Sequence, residues 1–311
     1  MAEQRWGLTL TLPMLPLSAH EELVRRAEAA GYTDFWSGET NGPDGFTPLA
    51  LAASWTERAR LGTGIVGVMT RGPALLAQQA AALADASGGR FVLGIGASSD
   101  RIVSGWNQME FSRPLTRVSE AVDFLRVALA VERTGTGFKL EQAPPKPVPI
   151  VLAALRGKML ELAVEKADGA FSNYLPLSGL PQVTAQLEGA PEGFELLCRF
   201  FCLPGSREEI EPLARFMFAS YATVPVYAEF FRWLGHGDAI AEMCEAWEAR
   251  DRERATASAP WELIEETFVF GTPEQMRERL DAYVEGGVTL PVLLPICPPD
   301  RMGEVIEALA P

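Results

Sequence analysis

The sequence predicts an α/β fold, a (β/α)8 TIM barrel with a helical insertion between strands seven and eight. Three observations lead there. Eight short apolar runs alternate with segments whose apolar residues recur at helical spacing. The runs are apolar on both faces, as strands must be in a parallel sheet covered by helices. The last interval, 206–257, reads as several helices where one would connect two strands. An open doubly wound sheet is the other architecture that fits this alternation. No repeat, low-complexity tract or break in composition divides the chain, so residues 1–311 are expected to form one domain, with insertions near 134–148 and 206–257.

The elements follow in order. Trp6–Leu12 is the first strand. Ser18-Ala-His-Glu21 reads as a capping box that opens a helix to Ala30, closed by Gly31. Thr33–Ser37 is strand two, and a Gly/Pro loop leads to a helix near Pro48–Glu57. Leu61–Val66 (LGTGIV) is strand three. Pro73–Ser87 is a helix with Leu75, Leu76, Ala80 and Leu83 at helical spacing, its proline placed where a missing N–H costs nothing. Gly88-Gly89 stops it, and Phe91–Ile95 is strand four. Pro114–Val131 is a long amphipathic helix. Residues 134–148 (TGTGFKLEQAPPKPV) read as an excursion or a short hairpin. Pro149–Ala154, Gly169–Leu175 and Phe194–Leu203 are strands five to seven, with helices at Gly157–Ala167 and Ser178–Leu187 between them. Ser206-Arg-Glu-Glu209 and Thr272-Pro-Glu-Gln275 are two further capping boxes. Gly-His-Gly at 235–237 breaks the insertion, and Thr267–Phe270 is a short extended piece. Thr289–Ile296 is strand eight, and Pro299–Leu309 the closing helix.

Composition excludes several functions. A formal net charge of −14 argues against nonspecific nucleic-acid binding and against an anionic membrane surface. No apolar run reaches membrane length, and RWGLTLTL carries no leader pattern, so a cytoplasmic protein is expected. The four cysteines, Cys198, Cys202, Cys244 and Cys297, form no C-x-x-C pair, and with only His20 and His236 beside them no metal-ligand spacing exists. Buried free thiols are the expectation. The two histidines read as helix-surface or loop residues, which leaves no Ser-His-Asp arrangement.

In such a barrel, chemistry collects at the C-terminal strand ends. Here these are Thr11–Met14, Glu39–Asn41, Gly64–Val68, Gly96–Asp100, Ala153–Lys158, Asn173–Tyr174 and Leu203–Gly205. GIGASSD (94–100) lacks the third glycine of a dinucleotide fingerprint, so a tight turn and a ligand contact through Ala97 and Ser98 both remain open. Ala154-Leu155-Arg156-Gly157-Lys158-Met159 enters a helix, where free N–H groups and two cations can hold an anion, or the cations can simply be solvated. Glu39 is either an exposed loop acid or, if buried, a group for proton transfer. Trp36, Trp106 and Asn107 are either core and loop residues or the lining of an apolar pocket. Asn173 can hydrogen-bond a ring edge or a loop backbone.

Several motifs in one order carry a resemblance. LGTGI, RGPALLAQ, SGGRFVLGIG and then Trp106, Asn107, Phe111, Pro114, Arg117 and Glu120 resemble the bacterial luciferase-like flavin and deazaflavin oxidoreductases, and among these the branch using coenzyme F420. The likeness runs from about Trp6 to about Thr289. It implies F420, or alternatively FMN, across the barrel mouth, with its phosphate at Leu155–Met159 and its ring against Gly64-Ile65. The family places a non-proline cis peptide at that position. It implies hydride transfer between the deazaflavin C5 and a small organic substrate, with Glu39, where many relatives have His, as the proton donor. Residues 206–257 would form a substrate lid, and a homodimer is common in the family. The rival functions are an FMN-dependent monooxygenase and a non-catalytic flavin-binding relative whose mouth has become filled.

Overall fold

The computed structural model describes residues 4–311. Its strands are β1 (Gly7–Leu10), β2 (Asp34–Ser37), β3 (Arg60–Thr63), β4 (Val66–Gly67), β5 (Phe91–Gly96), β6 (Ile150–Ala153), β7 (Gly169–Asn173), β8 (Glu195–Pro204), β9 (Val269–Gly271) and β10 (Leu290–Pro295). They pair in parallel in the order β10-β1-β2-β3-β5-β6-β7-β8, and β8 pairs back onto β10, which closes the barrel. β4 resumes the β3 strand two residues on and pairs with β5, while β9 joins the far end of β8. All eight predicted barrel strands are present.

Each strand is followed by helix. The helices are α1 (His20–Ala29), α2 (Thr47–Trp55), α3 (Pro73–Ala86), α4 (Pro114–Leu129), α5 (Lys158–Lys166), α6 (Leu180–Ala185), α7 (Arg207–Ala222), α8 (Pro225–Trp233), α9 (Gly237–Glu248), α10 (Arg252–Ala257), α11 (Trp261–Thr267), α12 (Pro273–Glu285) and α13 (Met302–Ala308). Their apolar faces cover outward strand residues such as Leu8, Leu10, Leu93, Leu152, Cys198 and Phe200. The predicted insertion, 206–257, is helices α7 to α10; α11 extends it beyond the predicted bound, and Gly235 and His236 lie between α8 and α9. Its core is aromatic: Phe218, Phe231 and Phe268 pack with Tyr174 and Phe201 above the ends of β7 and β8.

The inward residues form stacked layers. At the N-terminal end, Asp34 and Glu195 meet Arg5 and Arg60. Arg60 holds Asp34 at 2.7 Å and Glu195 at 2.8 Å. Above this floor lie Trp36, Val92, Val151, Phe171, Leu197, Leu290 and Val292. Trp36 meets Phe171 edge-on at 5.3 Å. A Cβ on Gly62 would stand 2.4 Å from the Trp36 ring, so only glycine admits the indole. Trp36 is therefore core, not pocket lining.

Three expectations are corrected, and for residues 134–148 the excursion, not the hairpin, is found. Ser18 caps nothing: a 3-10 turn at Leu17–Ala19 runs into α1, whose N-cap is Ala19. His20 is fully buried, not on a helix surface. Its Nδ1 donates to Pro16 O (3.0 Å) and its Nε2 accepts from Leu12 N (2.8 Å), pinning the loop that a serine cap would have organised. Residues 134–148 contain no strand; Thr134 and Phe138 close a small turn, and the prolines beyond remove the donors a hairpin ladder needs. Gly64–Ile65 is trans, and the non-proline cis bond among the described residues is Leu10–Thr11. Gly64 N–H continues the β2–β3 ladder by donating to Ser37 O, and a trans bond is the low-energy form for such an extended strand. The capping boxes at Ser206 and Thr272 do form.

Candidate active site

The mouth of the barrel has two unlike halves. One is built from β3 to β6. Thr63 Oγ1 donates to Gly94 O and accepts from Gly94 N, both at 2.7 Å, in place of a main-chain pairing. On the β5 side Gly64 and Ile65 step out of the ladder there, and both stay half exposed. The Ile65 side chain lies over Gly94 and Gly96: a Cβ on Gly96 would meet Ile65 Cδ1 at 2.9 Å and Ala153 Cβ at 2.8 Å. Ile65, from the step between β3 and β4, thus forms one shelf with the small residues Gly96 of β5 and Ala153 of β6. Ala97 and Ser98 stand one step above it, with Ser98 at φ 64° beside Gly67.

From Ala153 the chain turns through Ala154, Leu155 and Arg156 to Gly157, which caps α5 with φ 55°. Gly157 N donates to Gln186 Oε1 at 2.7 Å. The N–H groups of Lys158 and Met159 have no acceptor among the described residues, because in the first turn of α5 no helical carbonyl precedes them. Arg156 Nε is buried and unpartnered, and neither Arg156 nor Lys158 has a carboxylate partner among those residues. Buried donors without acceptors are costly, and a helix N-terminus with free amides attracts negative charge. These donors fit a phosphate, and the shelf beside them fits a flat ring.

The other half is polar and aromatic. Along β8, Leu196, Cys198, Phe200 and Cys202 face the helices, so Leu197, Arg199 and Phe201 face inward. Asn173, next to Arg199 on β7, accepts from Arg199 Nε at 3.2 Å and donates from Nδ2 to Tyr227 Oη at 2.7 Å. The Arg199 guanidinium lies 4.9 Å over the Phe201 ring. Tyr174 stacks on Tyr221 at 4.7 Å and meets Tyr227 edge-on at 5.6 Å. Burial pushes the phenols of Tyr174 and Tyr227 up, against the opposing pull of Arg199. Burial likewise raises Cys198, and pushes Cys202 up to about 12, so these thiols are inert core groups.

The remaining predicted residues separate. Glu39 is held by Arg71, with Arg71 Nη2 at 2.5 Å from Oε1, and Oε1 also accepts from Gly45 N at 3.1 Å. Glu39 thus ties the loop after β2 to Arg71, just before α3, and to the backbone of Gly45. Asn107 closes a π-helical turn, Arg101–Trp106, by donating from Nδ2 to Ile102 O at 2.7 Å. Trp106 is exposed under Arg101. Asn173 alone of the predicted set lies in the polar half. Arg199, Tyr227 and Tyr221 escaped the sequence reading, although an arginine inside FELLCRFFCL, on the face shared with Leu197, was a signal for the first. A cavity of about 560 Å³ near Leu203, Ile210, Met276 and Val305 lies on the outer rim, and none of these site residues line it. The mouth is the better candidate because unpartnered donors converge there.

No metal-binding cluster of His, Cys, Asp or Glu occurs among the described residues, and no helix among them is long and apolar enough to cross a membrane. The chain is 28% identical to a putative coenzyme F420-dependent oxidoreductase of Mycobacterium tuberculosis, over 89% of this chain and 91% of that one. Its fold superposes on the coenzyme F420 dependent tetrahydromethanopterin reductase from Methanopyrus kandleri with a TM-score of 0.77, at 23% identity, covering 99% and 98% of the two chains. It also superposes on the oxygenating constituent of 3,6-diketocamphane monooxygenase from Pseudomonas putida, solved with FMN, with a TM-score of 0.69, at 16% identity, covering 99% and 97%. The family model for luciferase-like monooxygenase matches residues 3–290, and the chain belongs to that family.

Proposed function

We propose that the chain is an F420-dependent oxidoreductase acting on a small organic substrate. The observation that carries this is the joining of the Gly64–Ile65 shelf to the unpartnered donors of Arg156, Lys158 and Met159 through Gly96 and Ala153. A ring and a phosphate on one ligand would meet both at once. A bound deazaflavin would supply hydride transfer at its C5, the chemistry the side chains lack. The protein's own contribution is position and dryness. Main-chain N–H groups and Arg156 would hold the phosphate, and Ile65, Gly96 and Ala153 would seat the ring. The tyrosines brought by α7 and α8 would screen the opposite side from water. Glu39, fixed by Arg71, would hold the rim loops in place. The F420-dependent relative aligned over nine-tenths of the chain supports the same reading.

Fluorescence titration with oxidised F420, and separately with FMN, tests it. Preference for F420 is the expected result. Preference for FMN would move the reading to an oxygen-using monooxygenase, and binding of neither at micromolar concentration to a non-catalytic relative.

A further inference from the structure

The polar half of the mouth contains an arrangement that the cofactor reading does not use. The charge of Arg199 is unmatched: no carboxylate among the described residues pairs with it, whereas Arg5, Arg60 and Arg71 each have one. Its Nε is spent on Asn173, but neither Nη atom makes a hydrogen bond among those residues. The network also has a fixed direction. Arginine can only donate, so the Asn173 atom facing it is Oδ1 and the atom facing Tyr227 is Nδ2. Tyr227 Oη therefore accepts from Asn173, and its own proton is unspent. The Nη fork and the phenolic proton are left as free donors in a half-buried site.

The location is as specific as the chemistry. A Cβ on Gly38 would lie 3.6 Å from Arg199 Nη1, so the arginine reaches across the mouth to the end of β2. The preceding residue, Ser37, accepts from Gly64 N, which places the guanidinium beside the ring shelf. Tyr221, Tyr174 and Phe201 supply an apolar wall next to it. A planar fork of donors matches a planar pair of oxygens, and the aromatic wall suits an apolar body rather than a hydrated phosphate.

We propose that Arg199 and Tyr227 bind the carboxylate of a small organic acid with an apolar body, and that such an acid is the substrate class of this chain. Asn173 is a positioning residue that orients both. The proposal rests on the oxidoreductase reading for its word "substrate", while the anion subsite itself does not. In a chain of net charge −14, an anionic substrate needs a local cation, and Arg199 supplies it at the shelf.

Calorimetric titration of the full-length protein with benzoate, benzamide and inorganic phosphate tests it, with and without F420. We expect benzoate to bind at least tenfold more tightly than benzamide. Arg199→Met should weaken benzoate at least tenfold and Tyr227→Phe about threefold, while Arg199→Lys, which keeps the charge and loses the fork, should fall between wild type and Arg199→Met. F420 affinity should stay within twofold in all three variants. Unchanged benzoate binding in Arg199→Met overturns the proposal. So does loss of F420 binding in that variant, which would make Arg199 a cofactor ligand, and so does phosphate binding that Arg199→Met abolishes. Melting temperatures confirm that each variant is folded. If wild type binds benzoate in this pattern but not F420, the subsite stands and the cofactor reading falls.

Discussion

The two ends of one barrel handle their arginines in opposite ways. At the floor, Arg5 and Arg60 share Asp34 and Glu195, and every charge has a partner within hydrogen-bond reach. At the mouth, Arg199 has only the Asn173 amide, Arg156 Nε has no partner, and neither meets a carboxylate among the described residues. A closed set of charges plugs a barrel and asks for nothing further. An open set stands in a half-buried place at a cost that only a ligand removes. Charge alone therefore does not mark a site; incompleteness does.

The largest effect should come from breaking the closed set. Asp34 is fully buried, and its loss leaves two arginines with one carboxylate between them. Asp34→Ala should destabilise the protein by about 3–5 kcal/mol, the usual consequence of orphaning a buried charge. Urea unfolding of this variant beside Arg199→Met makes the comparison direct. Arg199→Met should lose far less, since methionine keeps the apolar stem and removes an unmatched charge, at the cost of the hydrogen bond to Asn173, about 1 kcal/mol. Equal losses in the two variants would erase the distinction between floor and mouth.

A smaller effect should follow from filling the shelf. Gly96→Ala puts a methyl group 2.8 Å from Ala153 Cβ and 2.9 Å from Ile65 Cδ1. Overpacking of this kind costs about 1–3 kcal/mol. Ile65 is the atom set free to move, so the displacement falls on the proposed ring seat, and F420 affinity should drop more than stability does. Smaller again is Arg156→Ala. Removing one charge-assisted hydrogen bond should weaken F420 by about tenfold, on the order of 1.4 kcal/mol. The melting temperature of the cofactor-free protein should hardly change, because nothing among the described residues pairs with Arg156.

Much of this was legible in the sequence, for reasons that differ by element. The eight strands show because a parallel barrel strand is buried on both faces and leaves an apolar run such as LGTGIV or FVLGI. The 206–257 insertion shows because its length exceeds any single crossover helix. The strand-to-helix turn at Arg156–Met159 shows because strand, glycine and helix follow one another locally. Arg199 and Tyr227 lie in different elements, and Asn173 joins them across 54 and 26 residues of chain, a link that no local pattern contains. The Glu39–Arg71 pair was hidden for the same reason, since Arg71, 32 residues on, carries no mark that it turns back to β2. Ser18 misled through propensity, because a correct capping pattern was overridden once His20 turned inward.

That buried histidine gives the smallest and most specific test. Burial holds His20 below its usual value, so the folded protein keeps it neutral where an unfolded chain would protonate it. The unfolded state therefore binds the extra proton, and stability falls as pH drops below about 6.5, by at most ~1.4 kcal/mol per pH unit. Above that pH both states are neutral and the effect vanishes. The useful window runs down to about pH 4.5, below which carboxylates begin to titrate as well. Glutamine can reproduce both hydrogen bonds, accepting from Leu12 N and donating to Pro16 O, without taking up a proton. Melting temperatures of wild type and His20→Gln, followed across that window, should diverge as the pH falls, with wild type losing more. Parallel curves would mean that acid reaches the fold through other groups. Divergence would place the protonation at the loop between β1 and α1, on the rim of the mouth and away from every charge at the floor.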